Sequence, residues 1–532
     1  MNISRQIENA LREAFPLRKT IAFRATNFRS VDSRETEGSS NVGVPIMGRP
    51  IIDVATSAQL LIQCLFASVL IWSMRPLLAD DCWRGFRDSG SNTVEADLPT
   101  EWSPDKGLAW QATIPGYGQS SPVVWQGQVY VTSSDGPFQE HCQVHAYSLR
   151  DGAKRWTSDV SATTKVENYF RNSRAAPTCC VDQRGVYSFF ASGDVTAMKH
   201  SGETIWSTPL LKLYGEVGNE RGIASSPAQT AELLFVLVDH EGPSYLVALR
   251  KSTGEVAWKA DRGNRVPSWS SPVVTKCGTR ELVITSSADS VDAYDSQTGE
   301  SLWKLEGLQG NHIPSASIVG DSLFIGSTTM FNGASDEKAT AASNCCLTLT
   351  NFNDKPGFEQ RWSAERANSY YSTPLAFAGF VYYVNKAGVL YCIDQETGNQ
   401  VFAKRLDNPC WASAIGVTKP NGEQLVYFVL KNGFTVVIRP GTEFDQVSRN
   451  QLFDADAFRE ASEAAEIQRK KNAVPAELAK PKDGPEKVLA GMPEKQLHQM
   501  FSYGDPMVYG VAVAEDRLFI RTGQQLFCVG RN

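Results

Sequence analysis

The stretch Thr298-Gly299-Glu300-Ser301-Leu302-Trp303 decides the fold, because versions of it recur along the whole chain. In most copies a turn containing glycine lies three or four residues before an aromatic residue, usually tryptophan. The closing aromatic residues are Trp110, Trp156, Trp206, Trp258, Trp303, Trp362, Phe402 and Phe444. They are roughly 40 to 59 residues apart, and a period of about 40 to 50 residues, with room for four short strands, is typical of a β-propeller.

Each repeat unit begins with small residues. Examples are Gln119-Ser120-Ser121-Pro122, Ala224-Ser225-Ser226-Pro227 and Trp269-Ser270-Ser271-Pro272. Innermost strands crowd around the axis of a propeller, so small side chains are a steric requirement there, and proline suits a strand start whose N–H is not needed. The second strands alternate aromatic and β-branched residues, which predicts strands packed between blades. We therefore expect each closing aromatic residue to pack as a wedge between neighbouring blades.

The number of units predicts an all-β chain folded as an eight-bladed β-propeller of four-stranded blades, with seven blades as the alternative. The C-terminus supplies only three strands of the last blade, and Leu108–Thr113 supplies a fourth strand without partners of its own. We expect this N-terminal strand to complete the C-terminal blade, because closure removes two exposed sheet edges. Residues 445–502 break the period; they are charged and rich in alanine, and a helical insertion is expected there.

The N-terminal residues indicate export. Residues 58–74 form an uncharged apolar run of about 17 residues, which fits a secretory signal peptide or, alternatively, a single membrane anchor. Met47 would give that run a leader of ordinary length, so translation is expected to begin there or at Met1. The chain divides into an N-terminal extension with the signal peptide or anchor (1–79), a lead-in segment (80–107) and a propeller (108–532). We expect a periplasmic or otherwise exported protein.

Composition disfavours some classes of function. The 532 residues carry a formal net charge of −6, and 21% are charged, an ordinary balance for a globular protein. An acidic chain has no general affinity for polyphosphates, so no nucleic-acid partner is expected. The six histidines show no metal-ligand spacing, which gives histidine-based metal catalysis no support.

The units resemble the pyrroloquinoline-quinone (PQQ) type repeat, in which Ala-Leu-Asp-x-x-Thr-Gly-x-x-x-Trp recurs. Here the pattern stands as Asp292-Ala293-Tyr294-Asp295 followed by Thr298-Gly299 and Trp303. The lead-in Trp83-Arg84-Gly85-Phe86-Arg87 is similar to the Trp-x-x-Phe-Arg opening of exported bacterial propellers of this family. The resemblance covers the chain from Cys82 to Asn532, and its type is that of the BamB-like members.

That resemblance implies two possible functions. Quinoprotein dehydrogenases of this family hold PQQ and Ca²⁺ on the propeller axis and oxidise alcohols, with a vicinal disulfide near the cofactor. BamB-like members bind no cofactor and serve as periplasmic scaffolds. Cys179-Cys180 is similar to the disulfide stretch, but the turn from Asp182 to Gly185 places both cysteines at the end of an inner strand. Strand neighbours point to opposite faces, so two separate buried thiols are expected; the state of Cys345-Cys346 stays open.

The candidate site residues lie on the loops that lead from one blade into the inner strand of the next. All these loops converge on one face of a propeller, which we call the funnel face. Tyrosine, tryptophan and arginine contribute most at binding hot spots, so this face is the expected site of a ligand or partner. Its candidate residues are Tyr169, Arg171, Arg174, Tyr214, Arg221, Trp269, Arg366, Tyr370, Tyr371, Trp411 and Tyr503.

The expected function is an exported binding or scaffold module that engages a protein or glycan partner and holds no cofactor. The alternative is a PQQ- and Ca²⁺-dependent alcohol or sugar dehydrogenase. In that enzyme the quinone would be gripped by arginine and stacked on tryptophan, with candidates Arg171, Arg174, Arg221, Arg366, Trp269 and Trp411. A third hypothesis, a glycosidase or lyase, needs two facing carboxylates, for which Glu167 and Glu216 are the candidates.

Overall fold

The computed structural model describes residues 82–136, 139–164, 172–218, 222–265, 267–329, 336–454 and 507–531. Within these ranges the chain forms eight sheets, seven with four strands and one with five. In each sheet the four strands of the blade pair antiparallel and run outwards from the axis, and successive sheets follow one another around the ring as the blades of a β-propeller. The eight-bladed prediction is confirmed, and the seven-bladed alternative is wrong.

Two strands precede the first complete blade: β1 (Thr93–Glu95) and β2 (Leu108–Thr113). From the inside outwards, blade 1 contains β3 (Val123–Trp125), β4 (Gln128–Asp135), β5 (His141–Ser148) and β6 (Lys154–Ser161), and blade 2 contains β7 (Cys180–Asp182), β8 (Gly185–Phe189), β9 (Asp194–Met198) and β10 (Thr204–Pro209). Blade 3 contains β11 (Ala228–Gln229), β12 (Leu233–Val238), β13 (Pro243–Arg250) and β14 (Val256–Asn264), and blade 4 contains β15 (Val273–Cys277), β16 (Arg280–Ser286), β17 (Ser290–Asp295) and β18 (Ser301–Glu306).

Blade 5 contains β19 (Ser317–Val319), β20 (Ser322–Phe324), β21 (Cys345–Phe352) and β22 (Lys355–Ser363). Blade 6 contains β23 (Leu375–Phe377), β24 (Phe380–Val384), β25 (Val389–Asp394) and β26 (Gln400–Arg405). Blade 7 contains β27 (Ile415–Thr418), β28 (Gln424–Val429), β29 (Phe434–Arg439) and β30 (Asp445–Gln451). Blade 8 consists of β31 (Gly510–Ala514), β32 (Arg517–Arg521), β33 (Gln525–Val529) and β2. The described helices are α1 (Leu210–Tyr214), α2 (Glu337–Ala342) and a 3₁₀ turn (Asp88–Gly90), and none is long and apolar enough to cross a membrane.

The position of a strand in its blade explains its composition. The second strands β8 and β12 are buried at every residue, because the neighbouring blades cover both of their faces. The outermost strand β26 is exposed or half-buried throughout, since it forms the rim of the ring. The core therefore lies between the blades, in a series of layers around the axis.

The two ends of the propeller close the ring, as the sequence predicts. Strand β2 pairs antiparallel with β33, so that Leu108 lies opposite Val529 and Thr113 lies opposite Gln525. The N-terminal strand thereby becomes the outermost strand of the C-terminal blade. Blade 8 cannot form until both ends of the propeller have been made, so closure ties the whole ring together.

Arg521 joins blade 8 to blade 1. Its fully buried guanidinium donates to the main-chain oxygens of Ser120 at 3.1 Å, Thr132 at 2.6 Å and Thr522 at 3.3 Å. Burying a charged group is costly unless it is hydrogen-bonded. Each nitrogen of Arg521 has an acceptor here, so this cation stabilises the junction instead of weakening it.

At most junctions a tryptophan of one blade packs on a glycine of the next. The Trp258 indole N–H in blade 3 donates to the Ser296 oxygen in the closing turn of blade 4 at 2.9 Å. Gly299 of that turn has φ +75°, and a Cβ there would lie 2.5 Å from the indole ring, so the position requires glycine. The same arrangement recurs in the pairs Trp110 and Gly152, Trp156 and Gly202, Trp206 and Gly254, and Trp362 and Gly398. The predicted wedge role is confirmed at these five junctions.

The junction between blades 4 and 5 departs from this pattern. The closing hairpin of blade 5 turns at Asn353 and Asp354, which have φ of 50° and 59°, and it contains no Thr-Gly turn. Trp303 packs on Phe358 instead, with ring centroids 4.7 Å apart, and its buried indole N–H has no hydrogen-bond partner. Without the glycine turn, the indole has lost its acceptor.

The lead-in segment crosses the axis on the face opposite the funnel face. Trp83 exchanges two main-chain hydrogen bonds with Val124 in blade 1, at 2.9 and 2.8 Å, and the Val181 N–H in blade 2 donates to the Arg84 oxygen at 2.9 Å. On the far side of the ring, β1 pairs in parallel with β27 and makes blade 7 five-stranded. The main chain of the lead-in therefore covers one end of the axis.

The predicted start of the helical insertion (residues 445–502) is too early, because the chain is still a strand at residue 445. Its first seven residues are β30 (Asp445–Gln451), which pairs with β29 and completes blade 7. The strand carries charged residues such as Asp445 and Arg449 because an outermost strand faces solvent. Its polar sequence therefore looks like that of the charged insertion that follows, which is why the boundary was predicted too early. Residues 455–502 lie outside the described residues.

The adjacent cysteines are separate buried thiols, as expected for Cys179-Cys180. Cys179 packs in the core between blades 1 and 2, whereas Cys180 packs in the core between blades 2 and 3. Cys345 and Cys346 are divided between two cores in the same way. Burial raises the pKa of Cys179 and of Cys180 to about 12, so both thiols are protonated at neutral pH.

The contact between tryptophan and glycine gives a stability prediction. Gly299→Ala should lower the free energy of unfolding by about 2–5 kcal/mol, because left-handed backbone costs alanine about 1–2 kcal/mol and overpacking against Trp258 adds about 1–3 kcal/mol. Gly422→Ala is the matched control, since Gly422 has φ +85° but no atom within 4 Å of an added Cβ. Urea unfolding of both variants measures the difference. Equal losses would show that the contact with the indole contributes nothing.

Candidate functional site

The inner strands and the loops that lead into them enclose a cavity of about 190 Å³ on the axis. We call it the axial cavity. Hydroxyl-bearing residues directly before the inner strands form its wall, aromatic residues from the loops lie towards the funnel face, and the lead-in segment contributes Phe86. The described residues that line it are Phe86, Gln119, Ser121, Asn172, Ala176, Thr178, Ala224, Ser226, Trp269, Ser271, Ile313, Ser315, Tyr371, Trp411 and Tyr509.

A series of hydroxyls holds the inner strands together around this cavity. The Ser121 N–H donates to Thr178 Oγ1 of the next blade at 2.8 Å, and the Ser226 N–H donates to Ser271 Oγ at 2.9 Å. Six such bonds connect Ser121, Thr178, Ser226, Ser271, Ser315, Thr373 and Ser413. A buried N–H without an acceptor costs about 1–3 kcal/mol, so each hydroxyl stabilises the blade before it. These residues are small for steric reasons, as predicted, and polar because they accept these bonds.

Five aromatic side chains contact one another in sequence beside the cavity. The ring centroids are 4.1 Å apart for Tyr370 and Tyr371, 4.4 Å for Tyr371 and Trp411, and 5.4 Å for Trp411 and Tyr509. Tyr509 meets Tyr117 edge to face, with centroids 6.2 Å apart. Tilted and edge-to-face pairs are favourable arrangements for aromatic rings. These contacts fix the rings in place, so the surface is formed before any ligand arrives.

Three of the residues predicted for the funnel face line the axial cavity: Trp269, Tyr371 and Trp411. The Trp269 indole N–H donates to the Gly222 oxygen at 3.1 Å, which fixes the ring at the cavity wall. Tyr370 is buried behind Tyr371 and supports it. The structure therefore brings together four of the predicted residues, from blades and loops that are far apart in the sequence.

Three other predicted residues lie away from the described cavity lining. Arg174 is buried, none of its guanidinium nitrogens has a hydrogen-bond partner, and burial lowers its pKa. Tyr214 of α1 packs edge-on against Tyr245, with centroids 5.1 Å apart. Arg366 is exposed. None of these side chains contacts the axial cavity in the described structure.

The remaining predicted residues lie outside the described residues and stay predictions: Tyr169, Arg171, Arg221 and Tyr503. The same is true of Glu167, one of the two carboxylates that the glycosidase hypothesis requires. Its proposed partner Glu216 is exposed on the loop after α1. The described structure thus gives no facing pair for that hypothesis.

Sequence reasoning missed three aromatic residues of the site. Tyr117 and Tyr509 belong to the blades that meet where the ring closes, and Phe86 comes from the lead-in segment. Tyr509 stands directly before the first strand of blade 8, at the level where other repeats carry a serine, alanine or proline, such as Ser120 and Ser225. Aligning that last, incomplete repeat with the others would have shown the substitution.

The described lining does not fit a calcium-bound quinone. It offers hydroxyls, the amides of Gln119 and Asn172 and aromatic rings, but no carboxylate. Protein Ca²⁺ sites take several oxygen ligands, usually with carboxylates among them. Nowhere in the described ranges do three or more His, Cys, Asp or Glu side chains form a group that could hold a metal ion. The described cavity is suited to an uncharged group.

An eight-bladed ring with Thr-Gly turns, interlocked tryptophans and an axial cavity defines a PQQ-type repeat propeller. The family described as "Outer membrane protein assembly factor BamB" matches residues 95–221, 191–344 and 225–404. Together these matches cover more than half of the chain, and the chain belongs to that family. The resemblance inferred from the repeat is confirmed.

Curated relatives lie within the same family. The chain is 28% identical over 227 residues to the outer membrane protein assembly factor BamB of Burkholderia pseudomallei, a match over 42% of this chain and 54% of the relative. It is 24% identical over 221 residues to the protein of that name from Moranella endobia, over 41% of this chain and 52% of the relative. The chain thus spans about half the length of the curated relatives it matches.

Solved structures include two kinds of propeller. The crystal structure of BamB from Moraxella catarrhalis is 12% identical, with a TM-score of 0.48 over 79% of this chain and 96% of that one. A quinohemoprotein alcohol dehydrogenase from Comamonas testosteroni is 14% identical, with a TM-score of 0.38 over 66% of this chain and 77% of that one.

The hydroxyl series gives a second prediction. Ser226→Ala should lower the free energy of unfolding by about 1–3 kcal/mol, because the buried Thr178 N–H loses its acceptor. Ser225→Ala is the matched control: Ser225 is buried next to it, but its hydroxyl has no partner, so this change should be neutral or slightly stabilising. Urea unfolding distinguishes the two variants. If they lose the same stability, volume and not the hydrogen bond is what matters at this position.

Proposed function

We propose that this chain is an exported, protein-binding scaffold that engages a polypeptide partner at the axial cavity and holds no cofactor there. The observation that carries this proposal is the connected aromatic series Tyr371, Trp411 and Tyr509 beside a cavity lined by hydroxyls. Membership of a family described as an outer membrane protein assembly factor supports a role in binding proteins.

The size and chemistry of the cavity favour a partner over a cofactor. Small-molecule sites usually measure about 300–1,000 Å³, and the axial cavity, at about 190 Å³, is smaller. It suits one inserted side chain or one sugar ring. Aromatic residues in fixed positions around such a cavity are typical of binding hot spots, because they bury large areas with little loss of conformational entropy.

The partner-binding surface can be tested by photo-crosslinking. A photoreactive amino acid at position 371, in the full chain expressed in its source cells, should yield an adduct with a polypeptide. Trp411→Ala in the same chain should reduce that adduct about tenfold or more, because a central hot-spot aromatic residue contributes about 2 kcal/mol or more. Blotting for the propeller and mass spectrometry of the adduct measure both effects.

Phe352→Ala provides the control. Phe352 is an aromatic residue that is 78% exposed at the hairpin tip of blade 5, away from the funnel face. Its removal should leave the adduct unchanged. If the adduct contains a glycan, the partner is a glycan and not a polypeptide. If Trp411→Ala and Phe352→Ala reduce the amount of adduct equally, binding at the axial cavity is contradicted.

Export is part of the proposal and rests on the apolar run at residues 58–74. Cell fractionation followed by N-terminal sequencing of the purified chain should find it outside the cytoplasm. Cleavage near residue 79 would identify a signal peptide, whereas an intact apolar run in the membrane fraction would identify an anchor. Recovery of the chain from the cytoplasm would contradict export.

The scaffold proposal and the dehydrogenase alternative predict different results in one titration, and the results given first are those expected of the scaffold. Calorimetry of the full chain with PQQ and Ca²⁺ should show no saturable binding, because the described cavity lining has no carboxylate for the ion. A dye-linked alcohol oxidation assay should show no turnover. Micromolar binding of PQQ accompanied by turnover would contradict the scaffold function and identify the protein as a quinoprotein dehydrogenase.

A further inference from the structure

Arg87 is a buried cation in the lead-in segment, close to the axis. Its side chain is 3% exposed, and Nη2 donates to the Ala316 oxygen in blade 5 at 2.5 Å. Nε and Nη1 are buried and have no hydrogen-bond partner. Arg521, a fully buried arginine of blade 8, has by contrast an acceptor for each nitrogen. Two of the three Arg87 nitrogens therefore lack the partners that a buried guanidinium needs.

The charge of Arg87 also lacks compensation. No described carboxylate forms an ion pair with it, and burial lowers its pKa to about 9. A buried cation without a counter-charge is one of the costliest features a folded chain can carry. Folded proteins usually avoid it, and an anion bound beside Arg87 would offset that cost.

The backbone around Arg87 is strained. Arg87 has φ 58°, Asp88 has φ 32° and Asn92 has φ 61°, all in the left-handed region that residues with a Cβ rarely adopt. Three such residues within six positions cost of order 1–3 kcal/mol each, and strain of this kind clusters at functional sites. The segment is held in an unfavourable conformation that places the Arg87 guanidinium under the ring.

A cleft of about 550 Å³ reaches Arg87 from the face opposite the funnel face. We call it the lead-in cleft. Its walls are the lead-in segment and the turns between first and second strands in blades 2 and 3, including Asp182–Gly185. The volume lies within the usual range of small-molecule sites, about 300–1,000 Å³. The axial cavity shares only a few residues with it, among them Phe86.

The lead-in cleft carries an excess of positive charge. Four basic side chains and two carboxylates line it. Both carboxylates are already paired: Glu232 with Arg184 at 2.5 Å and Asp182 with Lys251 at 2.6 Å. The remaining two basic side chains are Arg84 and Arg87. A cleft with this balance attracts anions.

We propose that the lead-in cleft is an oxyanion-binding site in which Arg87 donates Nε–H and Nη1–H to a carboxylate or phosphate group of a small ligand. Two observations support it independently: the orphaned nitrogens of a buried arginine and the cationic lining of the cleft that Arg87 borders. Charge-assisted hydrogen bonds to a guanidinium are about twice as strong as neutral ones. The aromatic residues Phe86 and Trp125 in the lining favour a ligand with a flat apolar body.

Calorimetry on the full chain tests this site, with sodium benzoate and inorganic phosphate as separate probes at constant ionic strength. The wild-type chain should bind at least one probe saturably, one per chain, with Kd of about 1 mM or lower. Stronger binding of benzoate would identify a carboxylate with a ring, and stronger binding of phosphate would identify a phosphate group. No saturable binding of either probe up to about 10 mM overturns the proposal.

Two variants show whether Arg87 is the binding group. Arg87→Gln should weaken probe binding about tenfold or more, while Arg366→Gln, an exposed arginine outside the cleft, should leave it unchanged. Without a probe, Arg87→Gln should melt at the same temperature as the wild type or higher, because an uncompensated buried charge has been removed. A lower melting temperature together with unchanged binding would mean a purely structural arginine and would overturn the proposal.

Arg87→Lys keeps the experiment decisive if Arg87→Gln does not fold. Lysine retains the charge but presents a single ammonium instead of a planar set of donors. Its probe affinity should fall about threefold or more, with circular dichroism like that of the wild type. Wild-type affinity in Arg87→Lys would contradict donation by the guanidinium.

Discussion

The contact between a closing tryptophan and the glycine turn of the next blade is the constraint on which the rest of the structure depends. It combines a hydrogen bond from the indole N–H with a close approach that any Cβ would prevent, as at Trp258 and Gly299. Both parts fix the rotation of one blade relative to the next. Repeated at five of the eight junctions, that rotation helps to bring β2 to β33, so closure depends on this local geometry. The junction at Trp303 lacks the glycine turn, and there Phe358 packs against the indole instead.

The axial cavity depends on this interlock. Once the blades are fixed, the inner strands lie close enough for the N–H of one to reach the hydroxyl of the next, as in Ser226 and Ser271. The aromatic rings of Tyr371, Trp411 and Tyr509 come from three different blades, and they meet only because the ring holds its loops in register. The site is therefore a property of the closed ring, and no single repeat contains it.

Much of the fold could be predicted because it is encoded locally and repeated. The turn Thr298-Gly299 requires a positive φ, and Trp303 is visible five residues later in any copy of the pattern. Strand β30 was misassigned because an outermost strand needs no apolar pattern. The aromatic site could be predicted only in part. Tyr117 and Tyr509 are separated by almost the whole propeller in the sequence, and their contact depends on ring closure. Arg174 is buried away from the described cavity lining, which its place on a loop did not reveal.

The lead-in segment gives the two faces of the propeller different roles. It crosses the axis between blades 1, 2, 5 and 7, and Phe86 reaches the axial cavity from below while Arg87 reaches the lead-in cleft. A ligand of the axial cavity must therefore come from the funnel face. The same segment continues into β2, the strand that closes the ring. One stretch of chain therefore covers the axis, bounds both cavities and leads to the closing strand. A ligand that binds only the folded state raises the stability of that state. A ligand that stabilises the strained conformation of the lead-in segment consequently also stabilises the closed ring.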